Sequence, residues 1–376
     1  MKTHPNRTNL LFRILTGIAA AVCLTASLTL TLQEAFTADE RPSGAVYTMT
    51  NATAGNSVLV FSRAANGSLT PAGSFATGGL GSGGSLGNQG GLALSWNKNW
   101  LFAVNAGSND ISSFEVGPRG LKLLDRIPSG GERPVSLTLH GNILYVLNAG
   151  SDNISGFVTR RGKLSSLPGS TRLLSSTAAD PAQVEFSPDG DLLVVTEKAT
   201  NVVDTFIVSE CGLAGLAQVQ PSAGTTPFGF AFDRLSRLFV SEAFGGVANA
   251  SALSSYALSQ DGNLQVISPS VGTNQTAACW VAITNDGHFA YVSNTGSASI
   301  SAFAIARNGN LALLNSRAAQ TGDGPIDMAL TAQFLYVLNR PNGTIGNYRV
   351  EQDGSLVPLP DGIAGLPTSV NGLAAR

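Results

Sequence analysis

The chain has little charge: Lys, Arg, Asp and Glu make up 12% of 376 residues, and the formal net charge is −2. That balance offers no electrostatic footprint for DNA, RNA or an anionic membrane, so nucleic acid is not expected as a partner. Histidine is equally scarce. Of the three, His4 lies near the N-terminus, while His140 and His288 fall in strand-linking turns, which limits acid-base proposals. Three cysteines remain. Cys211 and Cys279 belong to different stretches of the chain, so no disulfide can be inferred, and both read as small buried residues. With so few His and Cys, neither a transition-metal site nor any other cofactor is expected. No Ser-His-Asp order and no nucleophile elbow is present.

Glycine, by contrast, is abundant, with 43 residues, and Ser, Thr and Asn are plentiful. Such a composition points to many short strands and tight turns rather than to helices with salt-bridged faces. At the N-terminus, Lys2, Arg7 and Arg13 precede a run of 19 uncharged residues from Ile14 to Leu32. Residues 1–38 therefore read as a signal peptide or, alternatively, an N-terminal anchor, and the remainder as exported, periplasmic or extracellular. Cys23 lies within that run, but Val22 before it is too large for a good lipoprotein box.

Self-similarity organises the rest, residues 39–376. LFAVNAGSNDISSFEV from Leu101, LYVLNAGSDNISGFVT from Leu144 and AYVSNTGSASISAFAI from Ala290 share one plan. Each is an apolar strand ending in Asn, then a Gly-Ser turn and a strand beginning Ile-Ser. A short apolar segment precedes each, and a glycine-leucine signal such as Gly162-Lys163-Leu164 follows, giving four strands per unit. Weaker copies bring the count to seven, with anchor residues Asn51, Asn105, Asn148, Glu197, Glu242, Asn294 and Asn339 at spacings of 43 to 54. A four-stranded unit of this period is a propeller blade, so the fold expected is all-β, a seven-bladed β-propeller. The first copy lacks an innermost strand. The C-terminal stretch from Pro367 to Ala374 resembles one, and the ring is expected to close by pairing this C-terminal strand with the N-terminal strands. Asp-Gly turns such as Asp189-Gly190, Asp261-Gly262 and Asp286-Gly287 read as hairpin turns rather than metal loops. The glycine-rich stretch Gly78 to Gly91 matches no nucleotide fingerprint and reads as a long flexible loop.

Corresponding residues of the copies should form rings about the channel. Five anchors are amides, expected to close the turn on their own backbone, and the two carboxylates, Glu197 and Glu242, suggest a modest negative focus on one face. Arg133, Gln183, Lys198, Trp280, Asp327 and Arg340 lie where strands approach the channel mouth and, with Glu197, are the candidate ligand contacts. Trp280 stands out, since an aromatic beside carboxylates can stack a ring or a partner's side chain.

Segments such as DPAQVEFSPDGDLLVVTEK from Asp180 and TAACWVAITNDGHFAYVSNTG from Thr276 resemble blades of the seven-bladed lactonase family, which includes propeller-type 6-phosphogluconolactonases and carboxymuconate cyclases; YVTN-type propellers are more loosely similar. The resemblance implies His, Arg and Glu residues at the channel mouth. Where the family tends to have His-Pro-His, this chain has Pro181-Ala182-Gln183, and Arg-His is replaced by Pro227-Phe228. The expected acidic residue is Cys279, and an expected Arg is Thr295. Only Glu242 is retained. The function expected is thus a ligand- or partner-binding propeller with a depleted catalytic site, engaging a small molecule or protein at its channel face and monomeric. The alternative is a lactone hydrolase acting on an unphosphorylated lactone, with Glu242 as catalytic base.

Overall fold

A computed structural model describes Met1, residues 42–360 and residues 362–376. Apart from Met1, the leader read over residues 1–38, Cys23 and His4 included, lies outside the described residues. The expected ring is present: seven antiparallel sheets, each starting with a strand at the central channel. Blade 1 comprises Pro42–Met49, Ser57–Ala64 and Leu69–Ala76. The C-terminal strand Asn371–Ala375 completes it, pairing Tyr47 with Ala374 and Thr48 with Leu373. Blades 2 to 7 begin with the innermost strands Leu92–Leu94, Pro134–His140, Pro181–Phe186, Pro227–Phe232, Ala278–Ile283 and Pro325–Leu330. Blade 3 also carries an extra short strand, Arg172–Leu173.

Burial explains why some strands were easier to read than others. The second strands, such as Leu192–Glu197 and Phe334–Asn339, are buried along their whole length, because neighbouring blades cover both faces. They consequently read as unbroken apolar runs. Outer strands such as Leu69–Ala76 are largely exposed, and their sequences vary freely.

Blade-to-blade contact depends on the hairpin joining each third strand to its fourth. In blade 7 the turn residue Gly354 has φ +82°, and a Cβ there would lie 2.5 Å from the Phe289 ring of blade 6. Tyr291 of blade 6 donates its hydroxyl to Gly354 O at 2.9 Å. The same clamp recurs from Tyr336 to Gly67 O at 3.0 Å and from Tyr145 to Gly212 O at 2.9 Å. Thr205 and Ser255 donate to Gly262 O and Gly309 O in the same way. The glycine-leucine signal in the sequence is thus the point where one blade seats against the previous one.

Five of these glycine carbonyls therefore receive a hydroxyl from the adjoining blade, but one of the two cysteines differs from expectation. Cys279 is buried, whereas Cys211 is exposed and both thiols are free. Cys211 lies beside Gly212 in the blade 4 hairpin, so a residue expected in the core sits on an outer turn.

Adding a methyl group at Gly354 imposes both a left-handed backbone and a clash with Phe289, so Gly354→Ala should cost roughly 2–4 kcal/mol. Gly169, with φ +73° and open space where a Cβ would stand, isolates the backbone cost, about 1 kcal/mol for Gly169→Ala. Urea unfolding of the two variants would check the difference.

Candidate functional site at the channel mouth

The mouth is defined by the starts of the innermost strands. The residues entering several of them, Arg133, Asp180, Thr226 and Ala277, have φ between +44° and +57°. This sharp corner lets each backbone carbonyl meet the turn after the second strand, as in Ala149 N to Arg133 O at 2.9 Å and Thr295 N to Ala277 O at 2.9 Å.

Inside the mouth, the third residue of an innermost strand reaches the next blade. Ser136 Oγ accepts Val184 N–H at 3.2 Å. Gln183 does more: its Oε1 accepts Phe230 N–H at 2.7 Å while its Nε2 donates to Phe230 O at 3.0 Å. Asp327 accepts Leu373 N–H at 2.9 Å and its own neighbour Met328 N–H at 2.8 Å, tying blade 7 to the closing strand. Blade 5 has Gly229 at this position and therefore no side chain to offer.

The glycine-rich stretch supplies what is missing. Rather than standing free as a loop, its end, residues 86–91, lies across the mouth. Gln89 Oε1 accepts Val281 N–H at 3.2 Å and its Nε2 donates to Val281 O at 3.0 Å. The same segment donates Gln89 N–H to Ala182 O at 3.1 Å and accepts Leu137 N–H on Gly90 O at 2.8 Å. Trp280 Nε1 donates to Asn88 O at 2.7 Å and Lys198 Nζ to Gly87 O at 2.7 Å. Asn88 also donates to Val135 O. Leu86 and Asn88 are buried. Beneath the segment the channel widens into a cavity of about 300 Å³ whose walls include Gln89, Thr138, Gln183, Glu185 and Asp327.

These contacts account for most of the residues that the sequence singled out. Lys198 is held by Asp180 at 3.3 Å and lies 4.9 Å from the centre of the Phe228 ring. Burial lowers its pKa, with Asp180 opposing the shift. Trp280 is buried, packed on Phe228 with ring centres 5.2 Å apart, and so is not open to stack a ligand while residues 86–91 are in place. Cys279 beside it is buried, and its thiol is pushed up to about 12. Arg133 is exposed and Arg340 partly exposed on the rim.

Glu242 and Glu197 stand apart from this group, buried at the ends of second strands. Glu242 accepts Gly224 N–H at 2.8 Å and the Ser270 hydroxyl at 2.7 Å, and Ser254 also donates to it. Burial raises its pKa, while these three donors oppose the rise. Glu197 accepts from the Ser175 hydroxyl at 2.8 Å and the Thr200 hydroxyl at 2.6 Å. The carboxylates therefore form no exposed negative focus. The amides also behave differently from expectation: Asn105 donates to Asp110 at 2.6 Å and Ser112 at 2.8 Å, and Asn294 to Ser301 at 2.9 Å. Asn105 and Asn294 thus tie the second strand to the third, while Asn51 donates to Gly84 O at 2.8 Å and Asn148 to Ser129 O at 3.3 Å.

Sequence reasoning missed Gln89 and Glu185. Gln89 was detectable only as an amide within a glycine-rich stretch, read together with the glycine at 229 where blades 3, 4 and 7 carry Ser136, Gln183 and Asp327. Glu185 sits in a strand whose alternation gives no hint that its outward residue faces a channel. A further cavity, of about 550 Å³, opens among Trp96, Lys98, His140 and Pro188; Trp96 is 96% exposed there.

A family model described as lactonase, 7-bladed beta-propeller, matches residues 43–177 and 175–370. The chain belongs to the seven-bladed β-propeller lactonase family. No curated protein matches the sequence. Among solved structures, a Lactobacillus plantarum protein superposes with TM-score 0.72 at 20% identity, covering 89% of this chain and 99% of that one. A Bacteroides uniformis protein described as a candidate 6-phosphogluconolactonase gives 0.70 at 20%, covering 88% and 99%. The Pseudomonas aeruginosa periplasmic gluconolactonase PpgL gives 0.65 at 18%, covering 87% and 98%. At these identities the likeness concerns the fold. In this lactonase-family chain the mouth is crossed by its own segment 86–91.

Two buried carboxyls, Asp204 and Asp327, and the half-buried Glu185 give the propeller a pH signature. Desolvation pushes Glu185 and Asp327 up to about 8. Desolvation, then the neighbouring Glu197, pushes Asp204 up to about 7. Each binds its proton more tightly when folded, so this contribution to stability is complete below the unfolded values near 4 and is lost as pH rises through about 7 to 8. The melting temperature should fall by several degrees between mildly acidic and mildly alkaline pH. Asp204→Asn, which can donate to Glu197 without a proton to lose, should flatten part of that fall in a calorimetric pH series.

Proposed function

We propose that this lactonase-family propeller is an exported, non-catalytic binding protein that engages a ligand or partner at the face surrounding its channel mouth. The observation that carries the proposal is the occupancy of the mouth by residues 86–91. Lactone hydrolysis needs an accessible base and donors aimed at a developing oxyanion. Here Lys198 and Trp280 donate to carbonyls of the chain itself, and Glu242 is surrounded by three donors within its own blade. What remains open is the rim, with Arg133 and Arg340. The charged-then-apolar order of residues 1–38 supports export.

Lactone hydrolysis is the second reading, favoured by the family and by the gluconolactonase fold neighbour. It requires residues 86–91 to leave the mouth and Glu242 to exchange at least one hydrogen bond for a water.

The two separate in one assay. Protein lacking residues 1–38 is mixed with aldono- and aliphatic lactones and acid release is followed by pH-stat. The expected rate equals the uncatalysed one, in wild type and in Glu242→Gln alike. Turnover that drops by 10²-fold or more in Glu242→Gln, on the order expected for a lost general base, would establish the hydrolase instead.

A further inference from the structure

Gln183 and Gln89 make the same interaction. Each places a primary carboxamide against one residue of a neighbouring innermost strand, accepting its N–H and donating to its C=O. Gln183 does so from within blade 4 to the fourth residue of the blade 5 strand, Phe230. Gln89 does so to the fourth residue of the blade 6 strand, Val281, from a loop. Gly229, at the strand position equivalent to Gln183, leaves the room: a Cβ at 229 would collide with Gln89 Oε1 and with the Cys279 carbonyl. At the blade 5 to blade 6 junction the peptide edge of Val281 is therefore paired by a side chain that enters from outside the blade.

We propose that this junction is a carboxamide-binding site, occupied in cis by Gln89, and that residues 86–91 act as a tethered ligand. The class of external ligand that fits is a short peptide bearing Gln. The chemistry is selective. Only a group carrying a donor and an acceptor in one plane can satisfy the N–H and the C=O of the same residue; a carboxylate would set an oxygen against Val281 O, and an ammonium would leave Val281 N–H unpaired. The flanking contacts select a peptide, since Trp280 Nε1 and Lys198 Nζ both donate to main-chain carbonyls, those of Asn88 and Gly87. Backbone pairing to Ala182 and Leu137 fixes the main chain on either side of the Gln89 side chain. The inference rests on the mouth being a binding rather than a catalytic site.

The test uses the full chain with substitutions at Gln89. Gln89→Ala should lower the melting temperature by several degrees. Acetamide, which replaces the atoms removed, should raise the melting temperature of Gln89→Ala relative to its effect on wild type, and acetate should not. Gln89→Glu should lose stability relative to wild type at neutral pH, where its carboxylate faces Val281 O, and regain at least half of that loss in acid, where the protonated acid again offers a donor and an acceptor. This variant keeps the test decisive should Gln89→Ala fail to fold. Equal acetamide responses in wild type and Gln89→Ala, or a Gln89→Glu loss relative to wild type that is the same at both pH values, would overturn the proposal. Failure of the binding reading shows up separately, as lactone turnover in wild type.

Discussion

The ring rests on one repeated contact, in which a hairpin glycine of each blade lies against the blade before it. A four-stranded sheet on its own leaves both faces of its second strand exposed, and only neighbouring blades can cover them. Gly354 seated on Phe289 and clamped by Tyr291, or Gly67 on Phe334 and clamped by Tyr336, shows how the cover is fixed. The glycine allows backbone-to-ring contact, and the hydroxyl satisfies a carbonyl that burial would otherwise strand. At five junctions the donor is Tyr, Thr or Ser, so the carbonyl is the constant partner and the donor varies.

From that packing follows the channel, and with it the chemistry. Side chains pointing inward from the innermost strands face the channel, where desolvation raises the pKa of Glu185 and Asp327 and polar groups pair with the next strand. Ser136, Gln183 and Asp327 each direct their hydrogen-bonding capacity to the ring itself. Where blade 5 offers Gly229, the chain routes Gln89 into the gap. A mouth that in outline could admit a ligand is in this way closed by the polypeptide that forms it.

The anchor positions follow a similar logic of complementary donors and acceptors. An amide at the anchor donates, and its partners are acceptors such as Asp110. A carboxylate can only accept when ionised, and at Glu242 the surrounding groups are the donors Gly224 N–H, Ser254 and Ser270. In blade 4 both Glu197 and Asp204 are carboxyls, with Ser175 N–H between them, and desolvation beside Glu197 raises the Asp204 pKa, which favours a proton there. Where Glu takes the place of Asn at an anchor, its oxygens meet donors of the fold.

By itself the sequence determined the number of blades, the strands within each and the closure by the C-terminal strand, because each depends on local patterns repeated in register: apolar runs where both faces are covered, and glycine where a turn meets a ring. It also brought out Lys198, Trp280, Gln183 and Asp327 as residues near the mouth, since rotation places equivalent positions together. It did not determine which of them remain free. That was decided by pairings between residues far apart in the chain, Gln89 with Val281 and Trp280 with Asn88, which join a loop before blade 2 to a strand in blade 6. No periodicity records such a pairing, because the loop occurs once and its partner is bare backbone.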